Sequence, residues 1–418
     1  MKLSEELIYR GFVAETTIKN PAELDTRESK KFYWGADPSA DSLTIGNLAA
    51  LMMCACFVRH GYTPYLLVGG ATGQVGDPKE NGERDLKTLD EVEHNKKCIR
   101  EQVERVVSGV ATNGDAGAVT MVDNYDWFKN INYLDFLREI GKAFSMTQLL
   151  DRQFVQNRIG EGGSGISYAE FSYTLIQGYD FLYLYRKYGV ALQLCGADQY
   201  GNCTSGIHLI KRLEDAVADV WSTPLVIDPA TGRKFGKSEG NAIWLASSDN
   251  GSGNYTSIFD FYQFWLSQSD EAVEYLIKIY TLLSCDEIEN IVAEHKKAPE
   301  KRVAQKALAF GATTVVHGLE SAQAVEELSR VLFDRETNFA EFSENEINDF
   351  ARFLPVASRG ENLVDILVST GLADSKKKAR EFIKQGAISI NGIKETAEIN
   401  VEKIAIIKKG KNKFAVVM

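Results

Sequence analysis

The sequence is poor in cysteine and has none in C-x-x-C spacing: Cys54, Cys56, Cys98, Cys195, Cys203 and Cys285 are scattered over 418 residues. That scatter excludes a disulfide framework and a zinc cluster, and it predicts reduced thiols and no metal bound by the protein itself. No run approaches the roughly eighteen uncharged apolar residues of a membrane span. The opening MKLSEELIYRGF also carries acids where a targeting leader would be basic. A soluble cytoplasmic protein with no membrane partner is expected. A basic surplus is missing as well. The formal net charge is −11, which excludes binding of nucleic acid by bulk charge, because phosphate neutralisation needs clustered Lys and Arg. Proline is scarce, with 8 residues, and 44% of the chain is hydrophobic, so a disordered or collagen-like chain is excluded and large cores can form. At about 150 residues per domain the length calls for two to three domains.

Two nucleotide-binding signatures are absent from the place where they would be sought. Residues 68–78 (VGGATGQVGDP) follow an apolar run, yet they contain neither Gly-Lys-Ser/Thr at Walker spacing nor G-x-G-x-x-G. By itself the stretch reads as a flexible turn or a close approach to a ligand.

Short apolar runs alternate with helical patterns through the first half: KFYWGADPS, NLAALMMCACFVRHG, TPYLLVGGATG and VALQLCGADQ. Alternation of this kind predicts crossover units and a doubly wound α/β domain with a parallel sheet, whose ligands lie beyond the carboxyl ends of the strands. From about Ser257 the pattern turns helical. A polar stretch at residues 351–360 reads as a linker. Beyond it, helix, helix, strand, turn and strand predict a small α+β module over residues 361–418, which hold 11 Lys and Arg against 7 Asp and Glu. The tail is the basic end of an acidic protein.

Residues 35–47 (GADPSADSLTIGN) link the first strand to an apolar helix. The hydroxyls and amide of Ser39, Thr44 and Asn47 meet a helix N-terminus there, where free N–H groups and the dipole suit phosphate; an ordinary capped helix gives the same pattern. Residues 233–238 (RKFGKS) place two lysines three apart beside glycine and a hydroxyl. That suits a mobile loop closing on a polyphosphate, or a solvated basic turn. In residues 169–185 the polar Tyr173, Gln177 and Asp180 fall at i, i+4 and i+7, on one face of an otherwise apolar helix. A buried polar stripe needs partners, from the protein or from a ligand.

Thr44-Ile45-Gly46-Asn47 resembles the HIGH signature of class I aminoacyl-tRNA synthetases, and Lys234-Phe235-Gly236-Lys237-Ser238 resembles their KMSKS signature. With the blocks DNYDWF, EFSYTLIQGYDFL, CGADQYGN and APEKR, the chain resembles the bacterial type of tyrosyl-tRNA synthetase over essentially its whole length. The resemblance implies a Rossmann-like catalytic domain with a dimerisation segment at 1–225, the lysine loop and a helical anticodon-side domain at 226–350, the 351–360 linker, and a ribosomal-protein-like RNA-binding module at 361–418. It implies that Tyr173, Gln177 and Asp77 hold the ammonium of tyrosine, that Tyr33 and Asp180 meet its phenol, and that Gln199 lies beside the tyrosyl group. It places Asp37, Gly46, Asp198 and Lys237 on ATP, with Asp198 on the ribose. It makes Ser39, Thr44, Asn47, Lys234, Lys237 and Ser238 the phosphate-stabilising set, with Lys79 and Arg84 as further pyrophosphate contacts. ATP, Mg²⁺ entering with it, L-tyrosine, tRNA(Tyr) and a second copy of the chain are the implied partners. The dimer seam is expected at residues 126–144 and the tRNA contacts at Lys376, Lys377, Lys378, Arg380, Lys384, Lys408, Lys409, Lys411 and Lys413. Thr44 departs from the pattern, which has His there; none of His60, His94, His208, His295 and His317 falls in these motifs. Two other readings stay open: a non-catalytic RNA-binding paralogue, and a tryptophan-specific relative.

Overall fold

The computed structural model describes residues 1–78, 86–109, 119–150, 153–160, 162–227, 232, 235, 237–238, 241–334, 337 and 339–418. They form two compact units, one of residues 1–256 with 267–316 and the other of residues 257–266 with 317–418.

The first unit is built on five parallel strands: β1 (Lys31–Ala36), β2 (Thr63–Val68), β3 (Thr120–Val122), β4 (Leu192–Gly196) and β5 (Asp219–Thr223), in the order β3-β2-β1-β4-β5. The order reverses between β1 and β4, joined in register at Tyr33 and Gln193, and a crevice for ligands opens at such a reversal. After α1 (Leu3–Arg10), the crossovers are α2 (Ile45–Arg59), α3 (Leu89–Ser108), α4 (Tyr168–Tyr188) and α5 (Tyr200–Glu214). Helix α2 is apolar on every side, and residues 48–58 are all buried, as a helix enclosed by the core must be. Ser167 caps α4 by accepting the Glu170 N–H, and Gly189 ends it at φ 67°, a left-handed conformation that glycine adopts without a Cβ clash. The doubly wound architecture is the one the alternating pattern predicts.

The helices α6 (Asp270–Tyr280), α7 (Cys285–Lys297) and α8 (Val303–His317) fall largely in this same unit. The expected boundaries, which give residues 226–350 to a separate helical domain, differ from this division. The physical reason is a buried ionic node. Arg10 is 2% exposed, pairs with Glu6 at 2.8 Å, and donates to the carbonyls of Lys278 at 2.7 Å and Thr281 at 2.9 Å. Glu6 also meets His60 Nε2 at 2.7 Å. Burial raises its pKa, but the bond from His60 and the charges of Arg10 and Arg59 prevail and bring it down to about 2.

After the short pair β6 (Lys237–Ser238) and β7 (Asn241–Ala242) in the first unit, the second unit contains α9 (Leu319–Phe333), α10 (Glu344–Ala351), α11 (Leu363–Ser369) and α12 (Lys376–Lys384). Its sheet, ordered β10-β9-β11-β12-β8, consists of β8 (Val356–Ala357), β9 (Ile388–Ile390), β10 (Ile393–Glu395), β11 (Ala405–Lys409) and β12 (Lys413–Val417). Residues 351–360, expected as a linker, contribute to this sheet. Residues 356–357 form a strand parallel to β12, Val416 N–H donates to Pro355 O at 2.8 Å, and Arg359 N–H to Met418 O at 2.9 Å. The backbone groups of this segment are thereby satisfied within the sheet. Phe414 of β12 meets Phe259 and Phe333 edge-on at 6.1 and 5.4 Å, which ties the tail to residues far before it.

All six cysteines are free thiols. No helix among the described residues is long and apolar enough to cross a membrane.

Candidate active site

The loops leaving β1, β2 and β4 converge where the strand order reverses. At the end of β2, Gly69 and Gly70 must be glycines. A Cβ on Gly69 would stand 1.9 Å from Thr72 Oγ1, and one on Gly70 would stand 2.5 Å from Asp123 Oδ1. The loop is clamped from β3: Gly70 N–H donates to Asp123 at 3.0 Å and Ala71 N–H to Asn124 Oδ1 at 2.7 Å. Lys96 of α3 neutralises Asp123 at 2.8 Å. The segment therefore approaches other groups closely and is not a free turn.

Asp180 lies on the inward face of α4, 1% exposed. Trp127 Nε1 donates to its Oδ1 at 2.9 Å and Asn124 Nδ2 to its Oδ2 at 3.1 Å. Burial pushes the Asp180 pKa well above the ordinary carboxyl value, while these two donors pull it down. Tyr33 is 2% exposed and rests on Phe181 at 5.9 Å. Burial raises its pKa, and the charge of Asp180 raises it further. No hydrogen bond joins Tyr33 to Asp180 among the described residues; the two groups share a site without satisfying each other.

The remaining members of the stripe separate. Tyr173 donates to Asp37 Oδ2 at 2.7 Å, so the carboxylate expected on the ATP side is turned to the stripe. Burial, followed by the charge of Asp37, raises the Tyr173 pKa well above that of free tyrosine. Gln177 directs Nε2 at Cys203 Sγ, 3.7 Å away, and its buried Oε1 has no hydrogen-bond partner among the described residues. Asp77 accepts from Gln199 Nε2 at 2.9 Å and from Asn202 Nδ2 at 3.2 Å, which brings the Gly-rich loop against the turn after β4. In that turn Asp198 is exposed, with its carboxylate against Gly196, where a Cβ would come within 2.7 Å.

At the start of α2, Thr44 is satisfied locally. Its N–H and its hydroxyl both point at Asn47 Oδ1, each at 3.0 Å, so the hydroxyl proton expected to face a phosphate is directed along the helix. Ser39, Gly46 and Asn47 are exposed, and the Gly46 N–H has no backbone acceptor among the described residues. The chain beyond the lysine loop returns to this turn: Ile45 N–H donates to Ile243 O at 3.1 Å and Leu245 N–H to Leu43 O at 2.8 Å. Lys79, Arg84 and Lys234 lie outside the described residues, as do the side chains of Lys237 and Ser238. The backbone of the latter two pairs with β7.

Two family models divide the chain: class I tRNA synthetases (W and Y) match residues 25–334, and the C-terminal domain of SYY-like tyrosine–tRNA ligases matches residues 346–417. The tyrosine–tRNA ligase of Streptococcus pneumoniae serotype 19F (strain G54) is 39% identical over 430 aligned positions, covering 100% of this chain and 99% of that protein. The chain belongs to the tyrosine–tRNA ligases.

Solved members of the tyrosine–tRNA ligase family share the architecture. C-terminally truncated mitochondrial tyrosyl-tRNA synthetases from Aspergillus nidulans and Coccidioides posadasii superpose with TM-scores of 0.69 and 0.68 at 29% and 28% identity. They cover 79% and 78% of this chain and 94% and 91% of their own. A tryptophanyl-tRNA synthetase from Encephalitozoon cuniculi shares the fold at 13% identity and a TM-score of 0.54, over 77% of this chain and 89% of its own. The fold alone does not separate tyrosine from tryptophan; the full-length match does.

For this ligase the motifs yield Asp180 and Tyr33 but assign no role to Asn124, Trp127 or Asn202. All three lie in blocks that the resemblance picks out, DNYDWF and CGADQYGN, yet their partners stand 56, 53 and 125 residues away in sequence. Only the fold brings them together. Of the expected tRNA contacts, Lys376 pairs with Asp365 at 2.7 Å, Lys378 with Glu381 at 3.0 Å and Arg380 with Glu398 at 3.2 Å. Lys409 sits 4.1 Å over the Phe382 ring, and Lys408 5.1 Å over Phe414. Lys377, Lys384, Lys411 and Lys413 are exposed and form no ion pair among the described residues.

Proposed function

We propose that this chain activates L-tyrosine with ATP to tyrosyl-adenylate and transfers the tyrosyl group to the terminal ribose of tRNA(Tyr). The observation that carries the assignment of the amino-acid pocket is Asp180, buried beside Tyr33 and held by Trp127 and Asn124. A phenol between Asp180 and Tyr33 would donate to the carboxylate and accept from the tyrosine hydroxyl. Phenylalanine would deprive Asp180 of a third donor beyond Trp127 and Asn124 and leave the Tyr33 hydroxyl without its acceptor, and a buried polar group left unsatisfied costs about 1–3 kcal/mol. Tyr173, Asp77 and the unpartnered Oε1 of Gln177 would receive the ammonium, with Gln199 beside the tyrosyl carbonyl.

In the first step the carboxylate of tyrosine attacks the α-phosphorus of ATP and pyrophosphate leaves; no side chain has to act as nucleophile. Catalysis then rests on positioning and on charge stabilisation at the phosphates. The exposed Gly46 N–H at the positive end of α2, with Ser39, Thr44 and the amide of Asn47, would serve one side of the phosphates. Lys234, Lys237 and Ser238 would serve the pyrophosphate, and Asp198 the ribose. Asp37 would act through Tyr173. Mg²⁺ would arrive with ATP, since it takes phosphate oxygens as ligands and keeps its waters.

The module at residues 361–418 would hold tRNA through its exposed lysines, and the protein would work as a cytoplasmic homodimer. Tyr125, Tyr133, Leu134 and Tyr168 stand exposed, and Tyr133 and Tyr168 touch through their hydroxyls at 3.2 Å. A cluster of exposed aromatic and aliphatic residues is the composition of an interface core.

Exchange of pyrophosphate into ATP, run with each amino acid in turn, tests the reading. Tyrosine alone should support it. In Tyr33→Phe the preference for tyrosine over phenylalanine should narrow by about 1 kcal/mol, as for one lost hydrogen bond. Exchange driven by tryptophan, or by no amino acid, overturns the assignment.

A further inference from the structure

The start of α2 is held from outside its own helix, and both holds come from residues that follow the lysine loop. Ile45 N–H donates to Ile243 O at 3.1 Å, and Ile45 O accepts the hydroxyl of Tyr280, the last residue of α6, at 3.1 Å. Both polar main-chain groups of the residue before Gly46 are thereby fixed. Tyr280 is fully buried, and burial raises its pKa far above that of free tyrosine, so the hydroxyl keeps the proton it donates. On its other side the Tyr280 ring lies at 6.2 Å and 30° from the ring of Phe235, between Lys234 and Lys237 of the lysine loop. Phe235 is itself buried and donates its N–H to Val226 O at 2.9 Å.

The geometry points to Tyr280 as a positioning residue for adenylate formation: its hydroxyl sets the first turn of α2 and its ring packs on Phe235, so that Ile45 and Phe235 keep one spacing. This rests on the reading that both elements serve the phosphates of ATP. A side chain that touches both can transmit a displacement of either, because packed interiors shift between discrete arrangements rather than deform continuously. A group that fixes spacing at the phosphates acts where charge develops in the transition state. Its loss therefore belongs in kcat and leaves the binding of tyrosine alone.

The test is tyrosine-dependent exchange of pyrophosphate into ATP by the full chain, with kcat and the KM for tyrosine measured separately. In Tyr280→Phe, which keeps the ring and removes one hydrogen bond, kcat should fall about five- to tenfold with the KM for tyrosine within twofold of wild type. Phe235→Leu, which keeps the hydroxyl and removes the ring contact, should lower kcat in the same way, and it carries the test alone if Tyr280→Phe does not fold. Unchanged kcat in the folded variants, or a raised KM for tyrosine with kcat intact, overturns the proposal. Lys237→Ala and Thr44→Ala separate the two levels. If they slow exchange while Tyr280→Phe does not, only the positioning role fails. If neither slows it, the phosphate reading beneath it fails as well.

Discussion

Trp127 donates its indole N–H to Asp180 at 2.9 Å, so the carboxylate proposed to meet the tyrosine phenol is oriented by a residue from the segment read from the sequence as the dimer seam. Asn124 completes the hold and also grips the backbone of the Gly-rich loop through Ala71. One short stretch after β3 thus holds both Asp180 and the Gly-rich loop.

The pH profile should report that indole bond. Burial raises the Asp180 pKa and the Trp127 donor lowers it, so Trp127→Phe should raise it further. In the proposed pocket the ionised carboxylate is the stronger acceptor for the phenol O–H. The acid limb of kcat/KM for tyrosine should therefore move to higher pH in Trp127→Phe, with the value on the alkaline side of that limb less affected. A limb that stays in place would show that Trp127 only fills space.

Removing the charge of Lys377, Lys384, Lys411 and Lys413 together by substitution with Ala should weaken tRNA binding and leave pyrophosphate exchange intact. Each phosphate contact contributes about 0.7–0.9 to the slope of log K against log salt, so the slope should flatten by about 3 if all four lysines touch phosphate. Filter binding at several salt concentrations measures it.

Leu134 is 71% exposed beside Tyr133. Leu134→Asp should place a charge in the proposed seam and shift the protein from dimer to monomer in sedimentation equilibrium. Wild type that sediments as a monomer would remove the seam altogether.

Glu6 gives a stability test with a defined sign. Its folded pKa of about 2 lies below the unfolded value of about 4.3. The stabilisation it supplies is therefore present above the unfolded value and is lost as pH falls through the folded one. Between pH 5 and 2 the melting temperature of wild type should fall more steeply than that of Glu6→Gln. At pH 7 the substitution should cost about 3–5 kcal/mol, because it leaves Arg10 buried without its counter-charge. Thermal melts across pH decide both points.

The doubly wound sheet was legible because strand and helix periods differ and alternate, and the polar stripe of α4 because a helix brings i, i+4 and i+7 onto one face. What sequence spacing does not reveal is where a stripe residue finds its partner. That Tyr173 donates to Asp37 and that the Thr44 hydroxyl points at Asn47, three residues on, are partnerships that the motifs do not disclose. Residues 351–360 read as a linker because two residues are too short a strand for any periodicity. The boundary near residue 226 followed a change of pattern, yet Arg10, at the other end of the sequence, binds α6 into the first unit.

The chain passes between its two compact units at Thr256–Ser257, again at Leu266–Ser267, and a third time at Val316–His317. A single cut by a protease therefore releases neither unit whole, since two covalent connections survive any one of the three breaks. The same threading constrains descent. A recombination event that exchanged only the tail would leave residues 257–266 facing a foreign Phe414, so this arrangement favours inheritance of the second unit together with the first rather than as a transferable module.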